Sequence, residues 1–106
     1  MEVRSVSTQQ PVHPGAIIKH EINRREMLQS ELARIIDMSP SILSEIINEH
    51  RPLNEKSALL MEAALGLDAE KLLQIQTKFN LYTIRQSKPF MDRVDKANRQ
   101  SGMWHK

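Results

Sequence analysis

The chain has no cysteine, which excludes disulfides, thiolate chemistry and cysteine-based zinc fingers and fits a reducing compartment. Aromatic residues make up only 4% of its 106 positions. Ile, Leu, Met and Ala must therefore fill the interior, a set that suits packed helices better than a sheet. Glycine occurs only three times, so the chain has few flexible breaks. No apolar run approaches the roughly 20 residues needed to span a bilayer, and the opening MEVRSVSTQQPVHPG has no apolar stretch of the secretory kind. A soluble, cytoplasmic protein is the expectation. A chain of this length builds one modest core rather than two.

The net charge of +2 conceals an uneven distribution. Residues 1–82 hold nine Lys/Arg against eleven Asp/Glu. Residues 83–106 hold Arg85, Lys88, Arg93, Lys96, Arg99 and Lys106 against Asp92 and Asp95. A mildly acidic body thus precedes a basic tail. Because phosphate neutralisation drives non-specific affinity for DNA, the acidic body argues against strong DNA binding by a lone copy.

The first twelve residues are polar, contain Pro11 and show no sustained periodicity, so they read as a flexible lead-in. His13-Pro14-Gly15 then opens a helix running to about Arg25, with Ile18 and Ile22 on one face and His13 anchoring its start. Gln29–Ile36 reads as a short second helix with Leu32, Ala33 and Ile36 inward. Ser39 as a hydroxyl N-cap and Pro40 at the first helical position open a third, which buries Leu43, Ile46 and Ile47 and ends near Asn48. Asn54 caps a fourth, closed by Gly66. Asp68 caps a fifth through about Asn80, with Leu72, Leu73, Gln76 and Phe79 packed. The expectation is an all-α, five-helix bundle over residues 13–82, followed by a basic extension, 83–106. Within that extension Pro89–Gln100 has the pattern of a sixth helix, with Phe90, Val94 and Ala97 along one side.

The second and third helices are short and joined by Asp37-Met38-Ser39, the length and turn of a DNA-reading helix-turn-helix. Ala33 is small where the two must cross, Met38 plugs the turn, and Pro40, Ser41, Ile42, Ser44 and Glu45 project outward. The same layout also describes helical hairpins with no nucleic-acid role.

Gln29-Ser30-Glu31-Leu32-Ala33, Met38 through Asn48, and Arg51 together resemble the XRE/Cro-type helix-turn-helix superfamily, whose bundle is lambda-repressor-like. The frame around them is similar to the HigA-type (VapI-like) antitoxins: His13-Pro14-Gly15, Ala58-Leu59, Ala64-Leu65-Gly66, and Leu73, Gln76, Phe79, Asn80 and Leu81 all fall at that family's spacing. The resemblance covers residues 13 to about 82. It implies a homodimer that represses its own operon at a palindromic operator and silences a RelE-like, mRNA-cleaving toxin. It places Gln29 on a phosphate, Ser41, Ile42, Ser44 and Glu45 at the groove, and Asn48 and Arg51 on the DNA backbone; Ser39 and Pro40, which open the third helix, join them as DNA-binding candidates. The alternatives are an XRE transcriptional regulator without a toxin, and a protein-interaction module whose helix-turn-helix does not bind DNA.

The sequence also departs from that pattern. Leu28 stands where the family caps its second helix with Ser or Thr. Asp37 and Glu49 replace turn glycines, and Glu in a left-handed conformation costs on the order of 1 kcal/mol unless Asn48 adopts it instead. Lys71-Leu72 replaces an aromatic pair. The third helix has no Arg, Lys, Gln or Asn at its reading positions, although bidentate side chains give the strongest base discrimination. Ser41 and Ser44 can still bond several bases, Ile42 can touch a thymine methyl, and Glu45 can accept from cytosine. From Gln29 to Arg51, Arg34 and Arg51 face Glu31, Asp37, Glu45 and Glu49. Three outcomes fit that acidic balance: dimerisation doubles a few phosphate contacts, the basic tail supplies charge, or operator affinity has been lost.

Nothing in the sequence calls for a cofactor. His13, His20, His50 and His105 make no metal-ligand spacing. Ser39 and Ser41 lack a partner base, so no catalytic residue and no enzyme is expected. Leu60 reads as an outward apolar residue of the fourth helix, either solitary or part of a dimer patch. The tail reads as a solvated terminus or as a toxin-docking segment through Phe90, Val94 and Trp104.

Overall fold

The computed structural model describes residues 11–102. All but the last two residues of the expected lead-in, together with Trp104, His105 and Lys106, lie outside the described residues. Among the described residues six helices occur in order: α1 Pro14–Arg24, α2 Gln29–Ile35, α3 Pro40–Ile47, α4 Glu55–Leu65, α5 Ala69–Arg85 and α6 Lys88–Gly102. Among the described residues there is no strand, and no helix is long and apolar enough to cross a membrane. The all-helical expectation holds, but the count of five becomes six.

Each helix start has a local cause. His13 is the N-cap of α1: its Nδ1 accepts from the Gly15 N–H at 2.9 Å, and Pro14 supplies a first helical position that needs no N–H. The Asn54 carboxamide oxygen accepts from Ser57 N–H at 2.8 Å, and the Asp68 carboxylate from Lys71 N–H at 3.1 Å. At α2 the N-cap is Leu28, which has no side-chain acceptor. Glu31 reaches back instead and accepts from the Leu28 N–H at 2.9 Å, half of a capping box.

The first three helices end in the same way. In each, one residue after the C-cap turns left-handed while two amides return to the last turn. Glu26 (φ 57°) donates to Asn23 and Met27 to Ile22; Asp37 (φ 53°) donates to Arg34 and Met38 to Ala33; Glu49 (φ 68°) donates to Ile46 and His50 to Glu45. This Schellman arrangement satisfies carbonyls that would otherwise be orphaned. All three left-handed residues are acidic, where glycine carries no steric cost. Asn48, at φ −90°, does not relieve Glu49. The α4 helix instead closes on a left-handed glycine, Gly66 at φ 72°.

The buried apolar residues run from Ile18 to Leu72 and form one cluster: Ile18 and Ile22 of α1, Leu32, Ala33 and Ile36 at α2, Leu43, Ile46 and Ile47 of α3, Leu53, then Ala58, Met61 and Leu65 of α4 with Ala69 and Leu72 of α5. Each large side chain so buried contributes about 1.5–3 kcal/mol. Two polar links tie the layers together. The buried Gln76 carboxamide accepts from Leu53 N–H at 2.8 Å and donates to Asn80. Arg25 donates to the Leu65 carbonyl at 2.6 Å.

Two expectations need correction. Leu60 does not face outward; it is half-buried against the core, while Leu59 is 60% exposed. The buried set Ala58, Met61 and Leu65 fixes the helical phase and turns position 59 to solvent. The fifth helix does not stop near Asn80 but continues to Arg85, so residue 82 falls within it. No breaker intervenes until Pro89, which lacks the N–H that would bond Arg85 and whose ring would clash with that carbonyl. The chain turns at Gln86-Ser87, and α6 begins with Ser87 Oγ accepting from Phe90 N–H. No residue of α6 is buried. The described residues measure 55 × 35 × 23 Å with a radius of gyration of 17.8 Å, against about 13 Å for a compact fold of similar length.

Candidate nucleic-acid interface

The outward face of α3 depends on how α1 holds its inward face. Gly15 approaches the end of α3 so closely that a β-carbon there would overlap the Ile46 carbonyl oxygen and crowd that of Ile47. The other parts of the His-Pro-Gly opening act with it. Pro14 is buried, and the His13 ring, 3% exposed, stands edge-on to Phe79 with centroids 4.8 Å apart. Burial lowers the His13 pKa while nearby Glu49 raises it, and the net direction is downward. The ring is therefore held neutral, as an Nδ1 acceptor requires. The opening thus pins α1, α3 and α5 together.

Below it, Ala33 is buried and Met38 packs partly buried against the core at the turn, as the sequence suggested. With Leu43, Ile46 and Ile47 inside, Ser39, Pro40, Ser41, Ile42, Glu45, Asn48 and Arg51 are exposed, and Ser44 and Gln29 are half-buried. The nine candidates therefore line the outside of α3 and its flanks.

The contacts among them differ in part from expectation. The Ser39 hydroxyl makes no capping hydrogen bond. The hydroxyl does not accept from the Ser41 or Ile42 amide, as an N-cap would. Asn48 Nδ2 donates to Ser44 Oγ at 3.1 Å. Arg51 folds back across the turn onto Glu45, with Nε and Nη2 each 2.7 Å from Oε1. Six residues separate the two, outside any helical pairing rule, and only the left-handed turn at Glu49 brings them together. Sequence reasoning had no signal for that pair. Leu28 and Ile35, outside the inward set Leu32, Ala33 and Ile36, are apolar and exposed, at 66% and 51%.

A groove of about 460 Å³ runs beside α3, with Met38, Ile42, Arg51 and Leu60 in its walls. Among the described residues no cluster of His, Asp and Glu could hold a metal.

Two short helices crossing at a tight turn, with the second presenting an exposed polar face, define a helix-turn-helix domain. Residues 18–72 match the helix-turn-helix family model, the same span that holds the buried core, and the chain belongs to that family, of the XRE type. It is similar to virulence-associated protein I of Dichelobacter nodosus, 33% identical over 78 residues that cover 73% of this chain and 72% of that protein. Among solved structures it is similar to the antitoxin GraA, with a TM-score of 0.73 and 26% identity over 83% of this chain and 94% of the other. It also shares the fold of the antitoxin HigA of Pseudomonas aeruginosa, solved with the higBA promoter, with a TM-score of 0.65 and 23% identity over 69% and 80% of the two chains.

Proposed function

We propose that this chain is the antitoxin of a type II toxin–antitoxin pair: a cytoplasmic homodimer that binds a palindromic operator to repress its own operon and neutralises a RelE-like, mRNA-cleaving toxin. The observation that carries the DNA-binding part is the exposed face of α3, which the His-Pro-Gly opening holds outward from a core spanning the matched family region. The antitoxin part draws on the names of the relatives GraA and HigA. In this reading Gln29, Asn48 and Arg51 flank the groove contacts, and Ser39, Pro40, Ser41, Ile42, Ser44 and Glu45 enter it. A two-fold dimer presents two such helices about 34 Å apart on one side of the duplex. No enzymatic step and no cofactor enters the mechanism.

One observation favours a second reading, a protein-interaction module. Ser44 and Glu45 of α3 are already engaged by Asn48 and Arg51, and four acids face two arginines from Gln29 to Arg51. Binding of the purified protein to its own upstream DNA across a salt series separates the two. Preference for that DNA with a steep loss of affinity as salt rises is the expected result. Equal binding to random duplex at every salt concentration would leave the interaction module. Co-purification with the product of an adjacent toxin-like reading frame tests the antitoxin half.

A further inference from the structure

We infer that Glu45 and Arg51 form one composite reading element, in which Glu45 positions Arg51 to take the Hoogsteen edge of a guanine; this rests on the DNA-binding reading above. A guanidinium has five N–H donors in a plane. Here the side edge, formed by Nε and Nη2, is committed to Glu45 Oε1 at 2.7 Å from each nitrogen. The end edge, formed by one N–H of Nη1 and the second N–H of Nη2, is left over. That edge is the two-pronged donor that matches guanine O6 and N7.

The pair lies on the exposed side of α3, with side chains 46% and 48% exposed. An ion pair so open to solvent contributes little to folding, yet it fixes an otherwise flexible side chain over the reading face. The helix itself has no bidentate donor, since its outward positions are Pro40, Ser41, Ile42, Ser44 and Glu45, and the Asn48 amide that follows it is engaged with Ser44. The charge also favours a base over a phosphate. Glu45 neutralises Arg51, and its free oxygen would repel the DNA backbone. Glu45 then accepts from Arg51 rather than from a cytosine, and Arg51 contributes specificity rather than a backbone grip.

The test compares wild type with Glu45→Ala, Arg51→Ala, Arg51→Lys and the Glu45→Ala/Arg51→Ala double variant on the upstream duplex and on random duplex, across salt. The expected result is that each single change lowers the preference for the upstream duplex by about tenfold, with the double variant losing no more than either alone. Arg51→Lys should lose as much as Arg51→Ala, because an ammonium cannot present two fixed donors. Replacing operator guanines one at a time with 7-deazaguanine should weaken wild type at one position per half-site and leave Arg51→Ala indifferent there. The inference is overturned if Arg51→Ala weakens both duplexes equally and lowers the salt slope by about one, the signature of a phosphate contact. It is also overturned if Glu45→Ala strengthens binding to both duplexes. A wild type with no preference for the upstream duplex defeats the DNA-binding reading itself, and so is distinct from those outcomes.

Discussion

The helix-turn-helix body, residues 13–80, is richer in apolar residues than the arm that follows it, residues 81–106, and the two use them differently. In the body, Ile18 through Leu72 bury their apolar groups in one cluster. In the arm, Leu81, Ile84 and Phe90 are 43%, 45% and 41% exposed, and the local links of α6 are an Arg93 guanidinium 5.6 Å from the Phe90 ring and a Lys88–Asp92 pair at 3.4 Å. The body is therefore held by packing and by specific polar links, and the arm by contacts of small individual worth. Changes in the body should cost folding, while changes in the arm should leave folding nearly untouched.

The largest effect is expected at Gly15. A Gly15→Ala change must push α1 away from the Ile46 carbonyl, at a cost of about 3 kcal/mol or more, read as a lowered denaturant midpoint. An unchanged midpoint would show that the close approach is not needed. His13→Ala should cost about 2–3 kcal/mol, through the lost cap and the lost edge-on contact with Phe79, and His13→Asn should recover the cap alone. The same ring sets a pH dependence. Because its folded pKa lies below the ordinary 6.5, the stabilisation is complete above pH 6.5 and is lost as pH falls through the lower folded value. Thermal melts between pH 7.5 and 5.5 should show that loss in wild type and not in His13→Asn.

A smaller change, of opposite sign, is expected at the left-handed acids. Glu49→Gly should stabilise by about 1 kcal/mol, since φ 68° is unstrained for glycine, and Glu26→Gly should do the same. A melting temperature that fell instead would mean that the acid makes a compensating contact. The smallest effect belongs to the arm: removing residues 87–106 should shift the midpoint of the remaining helices by less than about 0.5 kcal/mol. A loss of several kcal/mol would erase the distinction between the two regions.

How legible each feature was depended on how local its cause is. The starts of α1, α4 and α5 were readable because His13, Asn54 and Asp68 act on amides two or three residues away. The α4 end was readable because Gly66 has a property no other residue shares. The turns at Asp37 and Glu49 were visible only as departures from a glycine pattern, and Glu26 not at all, because packing of the flanking helices imposes a left-handed residue whatever its type. Leu60 was placed outward because two adjacent leucines carry no phase information until Met61 and Leu65 are docked. The outward face of α3 followed from its period. The pairing of Arg51 with Glu45 across a turn did not, because it depends on a three-dimensional return of the chain.

The most direct test of the reading face is an NMR titration of isotope-labelled protein with its upstream duplex, followed residue by residue. The largest shifts are expected on Ser41, Ile42, Ser44, Glu45 and the Arg51 side chain, with Gln29 and Asn48 at the margins and the buried Leu43, Ile46 and Ile47 little moved. Shifts concentrated on α6, with the outward face of α3 unchanged, would contradict it and move the DNA contact to the basic arm.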